Sequence, residues 1–368
     1  MTLYASQKGG GMVVAPHHLA AQAGRDVLAE GGNAIEAMVA AAAAISVVYP
    51  HMNGLGGDGF WLIHEPGRDR PLAISAIGAA GAGVTQQTYA AQGLEAIPTR
   101  GPLAANTSAG TVAGWQAALA ASAEAGGRLP LDRLLEPAIH HAREGFPATE
   151  SQVANTLAKR EDLEGVPGWA EVFLPGGAVP APGDLFKQPA LAETLARLAA
   201  AGLEDFYRGD VARCMAADLA RAGSPIGAHD LAGQGAVTGA PLGLPHSRGS
   251  LFNVPPPSQG LVSLILLGLF DRLDWAANGK GEDFAHIHGL VEATKRAFLV
   301  RNAEVTDPAY MTAARGFFLR PPRLDRLAAD IDPARALPWP APAIPGDTVW
   351  LASADADGRV VSFIHSIY

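Results

Sequence analysis

One threonine in this sequence stands where a hydroxyl could become a nucleophile. Thr348 heads a β-rich run, Thr348 to Ala352, just after the chain-breaking pair Pro345-Gly346 and Asp347. Were the Asp347–Thr348 peptide bond cut, the freed α-amine of Thr348 would lie beside its own hydroxyl and could take its proton. That is the N-terminal form of an activated threonine. A polar turn follows, Asp355-Ala356-Asp357-Gly358, whose Asp-Gly pair favours a tight hairpin, and then a second β run, Val360 to Ile367. Taken alone, a threonine opening a strand is an ordinary β-former. The elements around the hairpin decide between the two readings.

Other chemistries find less support. The Gly-rich run His51-Met52-Asn53-Gly54-Leu55-Gly56-Gly57-Asp58-Gly59-Phe60 lacks the Gly-Lys-Ser/Thr of a phosphate loop. A helix precedes it and a strand follows, the reverse of a dinucleotide fingerprint. It reads as a tight helix-to-strand turn needing positive φ. His140 and His141 are adjacent and cannot share a helix face, and His17-His18 gives no ligand spacing either, so no metal and no cofactor are expected. The single cysteine, Cys214, excludes an internal disulfide and reads as a small buried apolar side chain.

The 368 residues are 48% apolar, ample for a large core in two lobes, and the net charge of −9 disfavours a nucleic-acid partner. The longest apolar tracts, Ala37 to Tyr49 and Leu261 to Phe270, are too short to cross a bilayer. Met1 to Lys8 has no basic segment leading into an apolar one. A cytoplasmic protein with no membrane partner is the expectation.

The positioning elements can be read in order. Met12 to Ala15 is a short strand, and His18 to Glu30 has helical spacing with Leu19, Ala23, Val27 and Leu28 on one side. Gly31-Gly32 ends that helix, and Asn33 can cap the next, Ala34 to Val48, which is almost wholly apolar and so buried. Phe60 to His64 and Pro71 to Ala76 are strands. Thr111 is a candidate N-cap, with Gly114 in close packing after it, and Arg128 to Phe146 is amphipathic. Ser258 is a candidate N-cap for Leu261 to Leu273. On the long helix His286 to Ala303, Glu292 and Lys295 read as a surface pair. Arg320 to Pro345, polar and proline-rich, reads as a mobile tail ahead of Thr348.

Several of these stretches, in this order, resemble the γ-glutamyltransferase family. They are Gly31-Gly32-Asn33-Ala34, the glycine-rich turn, Gly110-Thr111-Val112-Ala113-Gly114, Pro255-Pro256-Pro257-Ser258, and Thr348 followed by Asp355-Ala356-Asp357-Gly358 and Val360-Val361-Ser362-Phe363. The resemblance is collinear from Gly11 to Ser366. It implies an α+β fold, the four-layer αββα sandwich of the Ntn-hydrolases, and a proenzyme that cuts itself before a threonine. Residues 1–347 would be the large subunit and 348–368 the start of the small one, paired as a heterodimer after processing. Thr348 is then the nucleophile and Ser366 the second hydroxyl bonded to it. Asp205 to Gly209 and the helix to Arg221 resemble a segment on the large subunit's exterior. Family members continue well past the position of Tyr368, so a C-terminally truncated sandwich is expected.

Two positions depart from the transferase pattern. Ile77 stands where an arginine pairs with the substrate α-carboxylate, and Tyr368 where an asparagine holds its amino group. An isoleucine has no donors for a carboxylate. The expected substrate is therefore a small amide, as in the branch of the family that acts on amides such as oxamate, with water or an amine as acceptor. Two other readings remain open: a true γ-glutamyltransferase of glutathione metabolism with unusual anchors, and a non-catalytic remnant or binding protein.

Overall fold

The computed structural model describes residues 4–8, 10–277, 280–339 and 348–367. They form two compact units. One lies within Met1–Pro66, Ile74–Thr238 and Gly346–Tyr368, the other within Gly67–Ala73 and Gly239–Pro345.

The first unit is organised on a seven-stranded sheet. Its strands run in the order Tyr4–Lys8, Gly11–Ala15, Thr348–Ala354, Val360–Ser366, Asp58–His64, Leu72–Ala76 and Val237–Gly239. The expected hairpin is therefore present, and it sits in the middle of the sheet between strands from the other end of the sequence. It pairs antiparallel on both sides, with Ala352 opposite Val14 and Ser366 opposite Asp58.

One face of the sheet is closed. Val13, Trp61, Ile63, Val349, Leu351, Val361, Phe363 and His365 all point into it and are buried. The helices His18–Ala29 and Ala34–Val48 cover this face. All fifteen residues of Ala34–Val48 are buried, as an all-round apolar helix requires. Asn33 caps it in a full capping box: its Oδ1 accepts from the Ile35 and Glu36 amides, and Glu36 Oε2 accepts from the Asn33 amide. Such a cap contributes about 1 kcal/mol.

Alternate residues along a strand share a face, so Thr348 and Trp350 lie on the side away from these helices. Met12 and Trp350, on that side, are each 40% exposed. A four-layer αββα arrangement places a second sheet against such a face. The described residues supply the seven-stranded sheet and its helical layer, beside two small two-stranded sheets, with 48% helix and 14% strand overall.

The second unit packs the helices Gly260–Phe270, Phe284–Glu304 and Pro321–Ala329 with the hairpin Leu242–His246/Gly249–Asn253. Its core includes Leu244, Leu261, Ile265, Leu269, Ala297 and Leu324. Three expectations change here. Residues 321–329 are an ordered helix with Leu324 fully buried, not a tail; residues 340–345 of that stretch lie outside the described residues. Glu292 and Lys295 are not a surface pair. The Glu292 carboxylate is 2% exposed and meets Lys295 Nζ at 2.6 Å. Both then grip Leu337, whose amide donates to Glu292 and whose carbonyl accepts from Lys295. Finally, Gln259 rather than Ser258 is the N-cap, although Ser258 Oγ still accepts from the Gly260 amide at 3.1 Å. In the first unit, Cys214 is exposed, because it falls on the outer side of the amphipathic helix Asp210–Ala222.

Candidate active site

The hairpin register places Thr348 opposite Ser366. The exposed Thr348 hydroxyl donates to Ser366 Oγ at 3.2 Å. Because they form a cross-strand pair, both side chains stand on the same side of the sheet. Ser366 is in turn opposite Asp58 on the next strand. Asp58 Oδ1 accepts from the Gly78 amide at 2.8 Å, which brings the residues after Leu72–Ala76 to the same end of the sheet. Burial raises the Asp58 carboxyl pKa, and the Gly78 N–H only partly offsets this. Asp58 was not singled out as a site residue from sequence. Only its place inside the glycine-rich run could have drawn attention to it.

That run is built for close approach. None of its glycines has positive φ, so the expected reason for them does not hold. A Cβ on Gly57 would instead lie 2.0 Å from the Ser366 carbonyl oxygen. Gly57 O also accepts from the Gly110 and Thr111 amides, both at 2.9 Å. The turn thus joins the Ser366 end of the hairpin to the start of the helix Thr111–Glu124. The same logic holds on the far side, where a Cβ on Gly114 would lie 2.9 Å from Ala76 Cβ and 3.0 Å from Trp61 Nε1.

Thr111 does not cap that helix; Gly110 is the cap residue and Thr111 begins the helical turns. Its hydroxyl instead lies 3.0 Å from Nε2 of the fully buried His365. The same nitrogen is 2.9 Å from Gly54 O. A carbonyl can only accept, so Nε2 carries the proton and His365 is the neutral Nε2–H tautomer. Burial holds its pKa down to about 4. Tyr207 completes the anchoring of this helix. It donates to Ala109 O and accepts from the Ala113 amide, both at 2.8 Å. Phe206 and Tyr207 are buried, so the start of this segment is interior, whereas the helix Asp210–Ala222 that follows buries only Ala212 and lies on the surface. Burial raises the Tyr207 pKa and keeps the phenol neutral.

At the other end of the hairpin, the Asp355-Ala356-Asp357-Gly358 turn fastens the two strands to the buried helix. Asp355 Oδ1 accepts from the Asp357 and Arg359 amides, and Oδ2 from the Ala34 amide at 3.0 Å. Ser353 Oγ donates to Ala34 O at 2.7 Å. A carboxylate at a helix N-terminus is favoured by the exposed N–H groups there. The Arg359 guanidinium, held by Glu65 and Asp355, closes the cluster.

Ile77 is half-buried at the Thr348 end of the sheet, just before Gly78. Its carbonyl accepts from Gln234 Nε2 at 3.0 Å, and Gln234 Oε1 accepts from the Ala79 amide. The structure therefore brings Thr348, Ser366 and the Ile77 segment to one end of the sheet. Asp347 and Tyr368 lie outside the described residues. Among the described residues, no group of three or more His, Cys, Asp or Glu side chains could hold a metal ion, and no helix is long and apolar enough to cross a membrane.

Two buried histidines give a pH prediction. His17 is also held down to about 4, first by burial and then by His18, His141 and His51. Unfolded histidine titrates near 6.5. Between the two values the unfolded chain binds protons that the folded chain does not. The stabilisation is whole above about pH 6.5 and is lost as pH falls toward about 4. The loss is on the order of 3 kcal/mol for each histidine. The urea midpoint should drop between about pH 7 and about pH 4.5, and a flat profile would contradict neutral burial.

Comparison with known proteins identifies the family of the chain. The family model described as gamma-glutamyltranspeptidase matches residues 20–368. The chain belongs to that family, a family of enzymes, and has its Ntn-hydrolase fold. It is 52% identical to an oxamate amidohydrolase proenzyme of Klebsiella pneumoniae, over 97% of this chain and 67% of that protein. It is 38% identical to a glutathione hydrolase-like proenzyme of Bacillus subtilis, over 97% of this chain and 66% of that one. The chain thus spans about two thirds of the length of these relatives. Among solved structures, a cephalosporin acylase from Bacillus halodurans superposes with a TM-score of 0.87 at 31% identity, covering 100% of this chain and 67% of that one.

Proposed function

We propose that the protein carrying this chain is a self-processing hydrolase of small amides, with Thr348 as its N-terminal nucleophile. The observation that carries this reading is the Thr348–Ser366 hydroxyl pair at the head of the central hairpin. Its support from relatives is the 52% identity to a proenzyme named for oxamate hydrolysis.

In the maturation step, Thr348 Oγ1 attacks the Asp347 carbonyl carbon. The C–N bond breaks, the proton passes to nitrogen, and the resulting ester is hydrolysed by water. This leaves an Asp347 carboxylate and a free Thr348 amine, and divides the chain into residues 1–347 and a subunit starting at 348. In catalysis the amine takes the hydroxyl proton, and Oγ1 attacks the substrate amide carbon. Ser366 positions that hydroxyl. The amine leaving group departs with the proton, and water, or an amine acceptor, releases the acyl group from the ester.

A small substrate fits Ile77 better than a γ-glutamyl group does. Ile77 gives no side-chain donor, and the Gln234 amide beside it is occupied by backbone groups. Loss of one hydrogen bond to a charged group costs about 1.5–3 kcal/mol. A γ-glutamyl anilide should therefore show kcat/KM roughly tenfold or more below that of oxamate. Parity between the two substrates would favour the transferase reading instead. Intact-mass analysis of the purified protein, with N-terminal sequencing of the smaller fragment, tests the processing step directly.

A further inference from the structure

We propose that His365 is a positioning residue for the chemistry of Thr348: from the closed face of the sheet, its Nε2–H ties the strand end that carries Ser366 to the glycine-rich turn and to the head of the helix Thr111–Glu124. The proposal rests on the amide-hydrolase reading and adds a residue to it. Side chains alternate along Val360–Ser366, so His365 points into the closed face while Ser366 points to the Thr348 side. His365 continues the buried row of Val361 and Phe363 and is itself fully buried. Packing alone would favour another apolar side chain there. Among the described residues Nδ1 has no hydrogen-bond partner, and a buried polar atom left unpaired costs stability. A leucine would fill the row without that cost. What leucine lacks is the Nε2 edge, 2.9 Å from Gly54 O and 3.0 Å from Thr111 Oγ1. Gly54 O already accepts from the Gly57 amide at 3.1 Å, so the histidine is not there to satisfy that carbonyl. It joins three segments that are far apart in sequence.

The place of this link gives it a use. Thr348 and Ser366 form the last pair at the open end of the hairpin, and element ends open most readily. The turn end is fastened to Ala34 by Asp355 and Ser353. At the open end the glycine-rich turn packs close. Gly57 leaves room for the Ser366 carbonyl only because it has no Cβ, and a Cβ on Gly54 would lie 3.6 Å from Ile367 Cγ2. Such contacts limit approach but do not fix direction. The His365 hydrogen bond is directional, and it acts on the residue next to Ser366. A misplacement of about 1 Å at a reacting group can cost on the order of 100-fold in rate. A side chain that fixes Ser366 thereby fixes the Thr348 hydroxyl bonded to it.

The test compares His365→Gln, His365→Asn and His365→Leu in the whole protein. A glutamine side-chain amide can place an N–H where imidazole Nε2 stands, whereas that of asparagine reaches only the Nδ1 position. The asparagine and leucine variants should cut the Asp347–Thr348 bond roughly tenfold or more slowly, read by intact mass, and lose a similar factor in kcat on oxamate with KM within about twofold. His365→Gln should bring both rates back to within about threefold of wild type. His365→Leu should keep the wild-type urea midpoint at neutral pH, since it removes the unpaired Nδ1, so its slow cutting would not follow from lost stability. Hydrogen exchange of the segment 363–367 should be faster in His365→Leu than in wild type. Equal cutting by the asparagine and glutamine variants, or unchanged exchange in His365→Leu, would overturn the role of His365 and leave the hydrolase reading standing. A wild-type protein that stays uncut and hydrolyses no amide, with faster exchange in His365→Leu, would sink the hydrolase reading and keep His365 as the residue that holds Ser366.

Discussion

Replacing Thr348 by alanine should leave a single uncut chain without amidase activity. The substitution removes the oxygen needed for both the maturation step and the later attack on substrate. It also removes the 3.2 Å hydrogen bond from the Thr348 side chain to Ser366. The fold should survive, because Thr348 is exposed at the first position of its strand and contributes nothing to the closed face of the sheet. Loss of a nucleophile of this type lowers kcat by factors on the order of 10⁶. Thr348→Ser retains a hydroxyl and should still be cut, more slowly, since the β-branched methyl that restricts χ1 is gone. Intact mass spectrometry of the three proteins reads the outcome. Normal cleavage in Thr348→Ala, or a wild-type fragment beginning at another residue, would remove Thr348 from its role.

Local signals carried much of this site. The Asp-Gly turn and the two flanking β runs define the hairpin, and the hairpin's register alone sets Ser366 opposite Thr348. The Asn33 cap is likewise a short-range pattern, three residues from its Glu36 partner. Contacts that join distant parts of the chain were not legible. Asp355 holds the Ala34 amide across 321 positions, and Thr111 meets His365 across 254. Asp355 reads locally as a turn former and Thr111 as a helix cap, and only the sheet order shows their other use. Tyr207 sits in a short segment far along the chain, yet it closes the first turn of the helix that begins at Thr111. The glycine-rich turn was legible as a turn. Its physical reason was not, because close approach depends on a strand from the opposite end of the sequence.

That last point yields a second large effect. Gly57→Ala should abolish processing, while Gly56→Ala next to it should be nearly silent. A Cβ on Gly57 would lie 2.0 Å from the Ser366 carbonyl oxygen and 2.8 Å from its carbon, both backbone atoms that cannot rotate away. Either the turn or the end of the Val360–Ser366 strand must shift. Moving the strand displaces Ser366 from Thr348. Moving the turn strains the two amide bonds from Gly110 and Thr111 to Gly57 O. Overpacking of this kind costs about 1–3 kcal/mol or more. Gly56 has nothing within 4 Å of its Cβ position, is exposed and does not have positive φ. Its replacement should stay within about 0.5 kcal/mol of wild type. Urea unfolding and intact mass on both variants give the comparison. Equal midpoints and equal cleavage for the two would mean that the glycine-rich turn does not set the position of Ser366.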